Sequence, residues 1–70
     1  DYDGTLAPFV VNRDEAWPYP GVVERLDALM DRPRVSVVVV TGRSCAAILS
    51  LLRTRRRPEI WGSHGWEHLD

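Results

Sequence analysis

Two carboxylates flank a single residue at the start of the chain, in the run Asp1-Tyr2-Asp3-Gly4-Thr5. Side chains alternate across an extended backbone, so Asp1 and Asp3 lean to the same side and can converge on one small site. Two like charges held together are costly unless a cation lies between them or one keeps a proton. A hard, oxygen-preferring ion such as Mg2+ answers that need, and a phosphorylated substrate is its natural companion. An aspartate can also attack phosphorus itself and form an aspartyl-phosphate, while a second carboxylate protonates the leaving oxygen and later activates water. Gly4 permits a sharp turn with backbone N–H groups facing an anion, and Thr5 adds a hydroxyl at the same bend. Asp and Gly are also ordinary turn residues, so a plain surface turn is the competing reading.

A second segment bears on that choice. The β-branched run from Val35 to Val40 reads as a strand buried on both faces, and it stops abruptly at Thr41-Gly42-Arg43. In open parallel sheets the ligand crevice lies at the carboxyl ends of the strands. Thr41 and the Asp1–Thr5 turn would meet there if both belong to one sheet. Arg43, beside Thr41, has two open roles: its planar fork suits a phosphate and equally suits a neighbouring carboxylate.

DYDGTLAP, followed by a hydrophobic strand ending in TGR and then by SHGWE, resembles the haloacid dehalogenase superfamily of phosphohydrolases, and within it the trehalose-6-phosphate phosphatase branch. DxDGT with TGR carries the likeness to the superfamily, and DYDGTLAP with HGWE the likeness to the branch. The resemblance implies that Asp1 is the nucleophile, that Asp3 is the general acid/base, and that Thr41 holds the phosphate. Gly4, Thr5, Gly42 and Arg43 complete the expected phosphate-binding set. It implies Mg2+ held by the Asp1 carboxylate and the backbone carbonyl of Asp3, with further acidic ligands later in a longer chain. It implies contact between Glu67 and sugar hydroxyls at the mouth of the site. The implied substrate is a sugar phosphate, trehalose 6-phosphate first, with sucrose, glucosylglycerol or mannosylglycerate phosphates as variants. A catalytically silent phosphatase-like domain attached to a glycosyltransferase is the alternative left open.

Members of that superfamily carry a hydrophobic strand before the nucleophile and a cation, usually Lys, in a third motif. Here the sequence starts at Asp1, and all nine basic residues are Arg. The expected fold class is therefore α/β, a partial Rossmann-like parallel sheet of haloacid dehalogenase type with flanking helices. It would lack its first strand, its later core strands and the cap domain that selects the sugar. Residues 1–70 would be the amino-terminal part of a single hydrolase core domain, poorly folded and inactive when isolated.

The elements that must position these groups can be read coarsely. Residues 6–21 hold three prolines and little periodicity, which predicts an irregular loop over the functional face. Val22, Val23, Leu26, Leu29 and Met30 recur at helical spacing, predicting a helix from Pro20 to about Met30 with Pro20 in its first turn and Pro33 as its stop. After the valine-rich strand, a second helix is predicted from Ser44 as N-cap to Arg56, packing through Ile48, Leu49, Leu51 and Leu52. A short strand over Glu59 to Trp61 then leads into a Gly-rich loop. The order is half of a doubly wound sheet.

Composition excludes several function classes. A formal net charge of −1 over 70 residues gives no bulk attraction for nucleic acid or a membrane surface. No apolar stretch reaches transmembrane length and no signal segment is present, so the expected compartment is the cytoplasm. A chain of this size buries only about 60% of its unfolded surface, enough for one domain at most. Cys45 is the one cysteine and reads as a small helix residue. The Arg53–Arg57 cluster reads as a solvated helix terminus whose cations complement the dipole. His64 and His68 have metal-site spacing for one helical face, but Gly62 and Gly65 argue against a helix and no Cys or third His completes a zinc set. Trp66 has the character to stack on a sugar ring, and Trp61 reads as core. Nothing in the sequence determines an oligomeric state.

Overall fold

Capping and burial, more than periodicity, set the boundaries of the elements. The computed structural model describes residues 1–70. Helix α1 spans Val22–Met30, with Val22, Val23 and Leu26 half-buried against the core. It begins after Gly21, whose φ of 89° is left-handed backbone suited to glycine. Pro20 therefore precedes the helix instead of sitting in its first turn. Strand β1 is Val38–Val40, shorter than the valine run that predicts it.

Helix α2 spans Cys45–Leu51 and is capped by Ser44, whose Oγ accepts from the Ala47 N–H at 3.1 Å. It stops five residues before the expected Arg56. Leu51 and Leu52 are both buried, and an extended backbone at Leu52 lets both turn inward where a continuing helix would rotate one away. Arg53 Nε donates back to the Ser50 carbonyl of α2 at 3.2 Å, as expected of a cation at that helix end, while Arg55 and Arg56 serve the other helix. Arg56 Nη1 donates to the Met30 carbonyl at 2.9 Å, and Arg55 pairs with Asp31 at 2.7 Å, so cations complement the carboxyl terminus of α1 as well.

Strands β2 (Glu59–Gly62) and β3 (Glu67–Leu69) complete a three-stranded sheet in the order β1-β2-β3. β1 and β2 are parallel, with Val39 opposite Ile60, whereas β2 and β3 are antiparallel, with Trp61 opposite His68. The sheet is thus mixed, not purely parallel as expected. The cause is the reversal at residues 63–65, where Ser63, His64 and Gly65 all take positive φ (49°, 55° and 96°) and return the chain within one tight turn.

One face of this sheet meets α2. Val39 and Ile60 pack with Cys45, Ile48, Leu51 and Leu52, and Tyr2, Ala7 and Ala16 close the end of the core. Within residues 1–70 the other face of β1 is uncovered, with Val38 45% and Val40 58% exposed, so these residues cover one face of the strand expected to be buried on both. A single helix covers a single face, and period-two alternation leaves the intervening valines outside. Trp61, expected in the core, falls on that outer face and is 39% exposed. No helix is long and apolar enough to cross a membrane.

The Asp1–Ala7 segment is closed on itself. Tyr2 is fully buried and donates its phenolic hydrogen to the Ala16 carbonyl at 2.6 Å. Its own carbonyl accepts from Leu6 and Ala7 at 2.9 and 3.1 Å, while Gly4, at φ 82°, donates its N–H to the Ala7 carbonyl at 2.7 Å. Ile60→Ala is expected to cost roughly 2–5 kcal/mol through its cavity, and Trp66→Ala, at a side chain 92% exposed, within about 0.5 kcal/mol. Denaturant melts of both variants in the complete protein check this, and equal losses would contradict the packing.

Candidate functional site

Thr41 and Gly42 follow β1 directly, so the parallel β1–β2 pairing decides where they lie. Thr41 N–H donates to the Trp61 carbonyl at 2.9 Å, and its carbonyl accepts from His64 N–H at 3.2 Å. Arg43 N–H donates to Thr41 Oγ1 at 3.1 Å. That bond uses the oxygen as acceptor and leaves the hydroxyl hydrogen of Thr41 for another partner. Asp1, Val40, Thr41, Gly42, His64 and Gly65 line one cavity of about 540 Å3. Residues forty positions apart in sequence thus share one hollow at the carboxyl end of β1.

Asp3 does not line that cavity. Its carboxylate is held side-on by Arg43: Nη2 to Oδ1 at 2.7 Å and Nε to Oδ2 at 2.8 Å. The third Arg43 contact is Nη1 to the Arg13 carbonyl, at 2.9 Å. Of the two roles open to Arg43, the structure shows the carboxylate partner. The guanidinium hydrogen bonds push Asp3 below its ordinary carboxylate value, and Asp3 in turn raises Arg43. Burial raises the Tyr2 phenol beside them.

The turn amides also differ from expectation. The Gly4 N–H is taken by the Ala7 carbonyl and the Thr5 N–H by that of Tyr2, at 3.3 Å, so neither is free to face an anion. The Gly42 N–H, by contrast, enters no hydrogen bond within the fold. The oxygens expected to hold a cation suit one: the Asp1 carboxylate and the Asp3 carbonyl are hard donors that no hydrogen bond of the fold engages.

Glu67 has a structural task that the sequence did not reveal. Its Oε1 accepts from Cys45 N–H, the first residue of α2, at 3.1 Å, and its Oε2 accepts from Ser63 Oγ at 2.5 Å. Those bonds, the Ser63 hydroxyl first, hold it below the usual carboxylate range. Each oxygen thereby accepts one hydrogen bond within the fold. Gly62 makes the approach possible, because a Cβ there would lie 2.7 Å from the Arg43 carbonyl oxygen and 2.9 Å from Cys45 N.

The two histidines do not meet. His64 lies against Gly42, where an added Cβ would come within 2.5 Å of its ring, and so joins the cavity with Asp1 and Thr41. Sequence reasoning weighed it only as a zinc ligand, and only the folded hairpin brings it there. His68 stacks on Trp61 at 3.8 Å and bonds Glu59 Oε2 through Nε2 at 2.7 Å. Asp70 brings a carboxylate oxygen within 4.8 Å of these two donor atoms.

The trehalose-phosphatase family matches residues 1–69. The chain belongs to the trehalose-phosphatase family. It is 39% identical over 69 residues to trehalose-phosphate phosphatases of Mycobacterium tuberculosis H37Rv and Mycobacterium bovis BCG Pasteur, covering 96% of this chain and 16% of each relative. The Mycobacterium leprae trehalose-phosphate phosphatase is 38% identical over 69 residues, at 96% and 15% coverage. The chain therefore spans about a sixth of the length of these relatives. No solved structure matches.

Within this family member, Asp3 and Glu67 both bind protons less readily when folded than at their ordinary values of 3.8 and 4.5. Their contribution to stability is therefore complete above those values and is lost as pH falls through the lowered folded ones. Thermal melts of the complete protein should fall steeply below about pH 4, and Asp3→Asn should flatten that fall. An unchanged acid slope in the variant would contradict the pairing.

Proposed function

We propose that the complete protein carrying this sequence is a phosphoric monoester hydrolase acting on a sugar phosphate, trehalose 6-phosphate first. The observation that carries the reading is the shared cavity of Asp1, Thr41 and Gly42 at the carboxyl end of β1. Membership of the trehalose-phosphatase family and the names of its mycobacterial relatives support the substrate. The haloacid dehalogenase type of α/β fold belongs to the same proposal. The three-stranded sheet and two helices are consistent with a part of that fold.

In this reading an Asp1 carboxylate oxygen attacks phosphorus in line, the P–O bond to the sugar breaks, and an aspartyl-phosphate forms. Asp3, which Arg43 favours in its ionised form, must carry a proton in the enzyme–substrate complex and gives that proton to the departing sugar oxygen. It then takes one from water as that water attacks the acyl-phosphate, releasing inorganic phosphate and restoring Asp1. The Thr41 hydroxyl and the Gly42 amide, both with hydrogens unspent in the fold, donate to the phosphoryl oxygens. Asp1 and the Asp3 carbonyl would hold Mg2+, which when bound neutralises charge on those oxygens. Gly4 and Thr5 shape the turn through backbone hydrogen bonds instead of contributing free amides.

Phosphate release from trehalose 6-phosphate and a panel of other sugar phosphates, with and without Mg2+, tests the assignment. Asp1→Asn should abolish turnover, and Asp3→Asn should lower it roughly 100- to 10,000-fold. Substantial activity in Asp1→Asn would overturn the nucleophile. No release from any ester by the wild type would favour a silent phosphatase-like domain, and preference for another sugar would keep the chemistry and move the substrate.

A further inference from the structure

We infer that Arg43 is a positioning residue for phosphoryl transfer, one that fixes Asp3 and Thr41 together and does not bind the phosphate. The inference rests on the phosphatase reading above.

Three observations carry it. The first is commitment. The Arg43 side chain is only 5% exposed, and its three contacts, two to Asp3 and one to the Arg13 carbonyl, engage each guanidinium nitrogen once and fix the plane of the group away from open solvent. Drawing it onto a phosphate would leave Asp3 and the Arg13 carbonyl without their partner in a largely buried place, a costly exchange. The second is geometry. A side-on fork from Nε and Nη2 fixes both the position and the rotation of a carboxylate. Each Asp3 oxygen accepts one hydrogen bond and keeps a second lone-pair position for a proton in transit. The third is that one residue orders two groups: the Arg43 main chain donates to Thr41 Oγ1 while its side chain holds Asp3.

The same guanidinium makes the 12–16 segment part of this arrangement. Arg13 begins a short 3-10 turn capped by Asn12, whose side-chain oxygen accepts from Asp14 N–H at 3.1 Å. The Arg13 carbonyl receives Arg43 Nη1, and the Ala16 carbonyl, three residues on, receives the Tyr2 hydroxyl. Two tethers thus bind this loop to the turn that carries Asp1 and Asp3. The loop contributes backbone carbonyls, and its side chains need not touch the substrate.

The test compares Arg43→Gln and Arg43→Lys in the complete protein on two esters, trehalose 6-phosphate and p-nitrophenyl phosphate. The nitrophenolate departs without a proton, whereas a sugar alkoxide needs one from Asp3. Arg43→Gln should lower kcat on the sugar ester roughly 100- to 1000-fold and far less on the aryl ester. KM and inhibition by inorganic phosphate should stay near wild type. Arg43→Lys, a point charge unable to grip both oxygens, should recover part of the loss. It also carries the same contrast at smaller amplitude if the Gln variant does not fold. Raised KM with weakened phosphate inhibition would make Arg43 a phosphate ligand and overturn the inference. Equal losses on both esters would reduce its role to folding and overturn it too. Wild-type protein that hydrolyses neither ester fails the phosphatase reading itself, a result distinct from both.

Discussion

One buried guanidinium organises this structure. Arg43 lies just beyond β1, yet it joins the Asp1–Ala7 turn, the loop at residue 13 and the hydroxyl of Thr41. An arginine removed from water is tolerable only if it is paired, and here each of its three side-chain nitrogens has an acceptor. Loss of one partner from such a pair costs roughly 3–5 kcal/mol, because the other charge stays buried. The bond between Arg43 and Asp3 spans forty residues, so it closes the fold as well as the site.

The hairpin of β2 and β3 supplies the opposite wall. Its turn contains two non-glycine residues in left-handed backbone, Ser63 and His64, a cost that the surrounding contacts must offset. Ser63 N–H to the Arg43 carbonyl at 2.7 Å, His64 N–H to the Thr41 carbonyl and Glu67 across the start of α2 are those contacts. Gly62 allows the two chains to approach closely enough to make them. Backbone strain, a glycine and a carboxylate cap all converge on the turn after β1, which is where the unspent hydroxyl hydrogen and amide lie.

Much of this was legible in the sequence. Ser44 capping α2, α1 ending near Met30, β2 at Glu59 and the meeting of Asp1 with Thr41 follow from local chemistry and strand-end logic. The misses share one cause, that tertiary pairing decided among options local pattern left equal. Arginines after Leu52 suit any helix carboxyl terminus: Arg53 meets Ser50 of α2 as expected, and contact with Met30 and Asp31 turns Arg55 and Arg56 to α1. Glu67 reads as a loop residue from its glycine-rich surroundings, and only the antiparallel return of β3 sets it across from Cys45 N–H. The valine run predicts two covered faces, and residues 1–70 supply the layer for one of them.

The chemistry that emerges assigns separate settings to two neighbouring aspartates: Asp1 open to a cavity, Asp3 clamped by a cation. Different surroundings are how two identical side chains acquire different tasks. The most direct measurement is a crystal structure of the complete protein with Mg2+ and beryllium trifluoride, a mimic of a phosphoryl group bound to a carboxylate. The account predicts the fluoride adduct on Asp1, in contact with the Thr41 hydroxyl and Gly42 amide, with Arg43 still paired to Asp3. An adduct on Asp3, or an Arg43 guanidinium turned onto the fluorides, would contradict it.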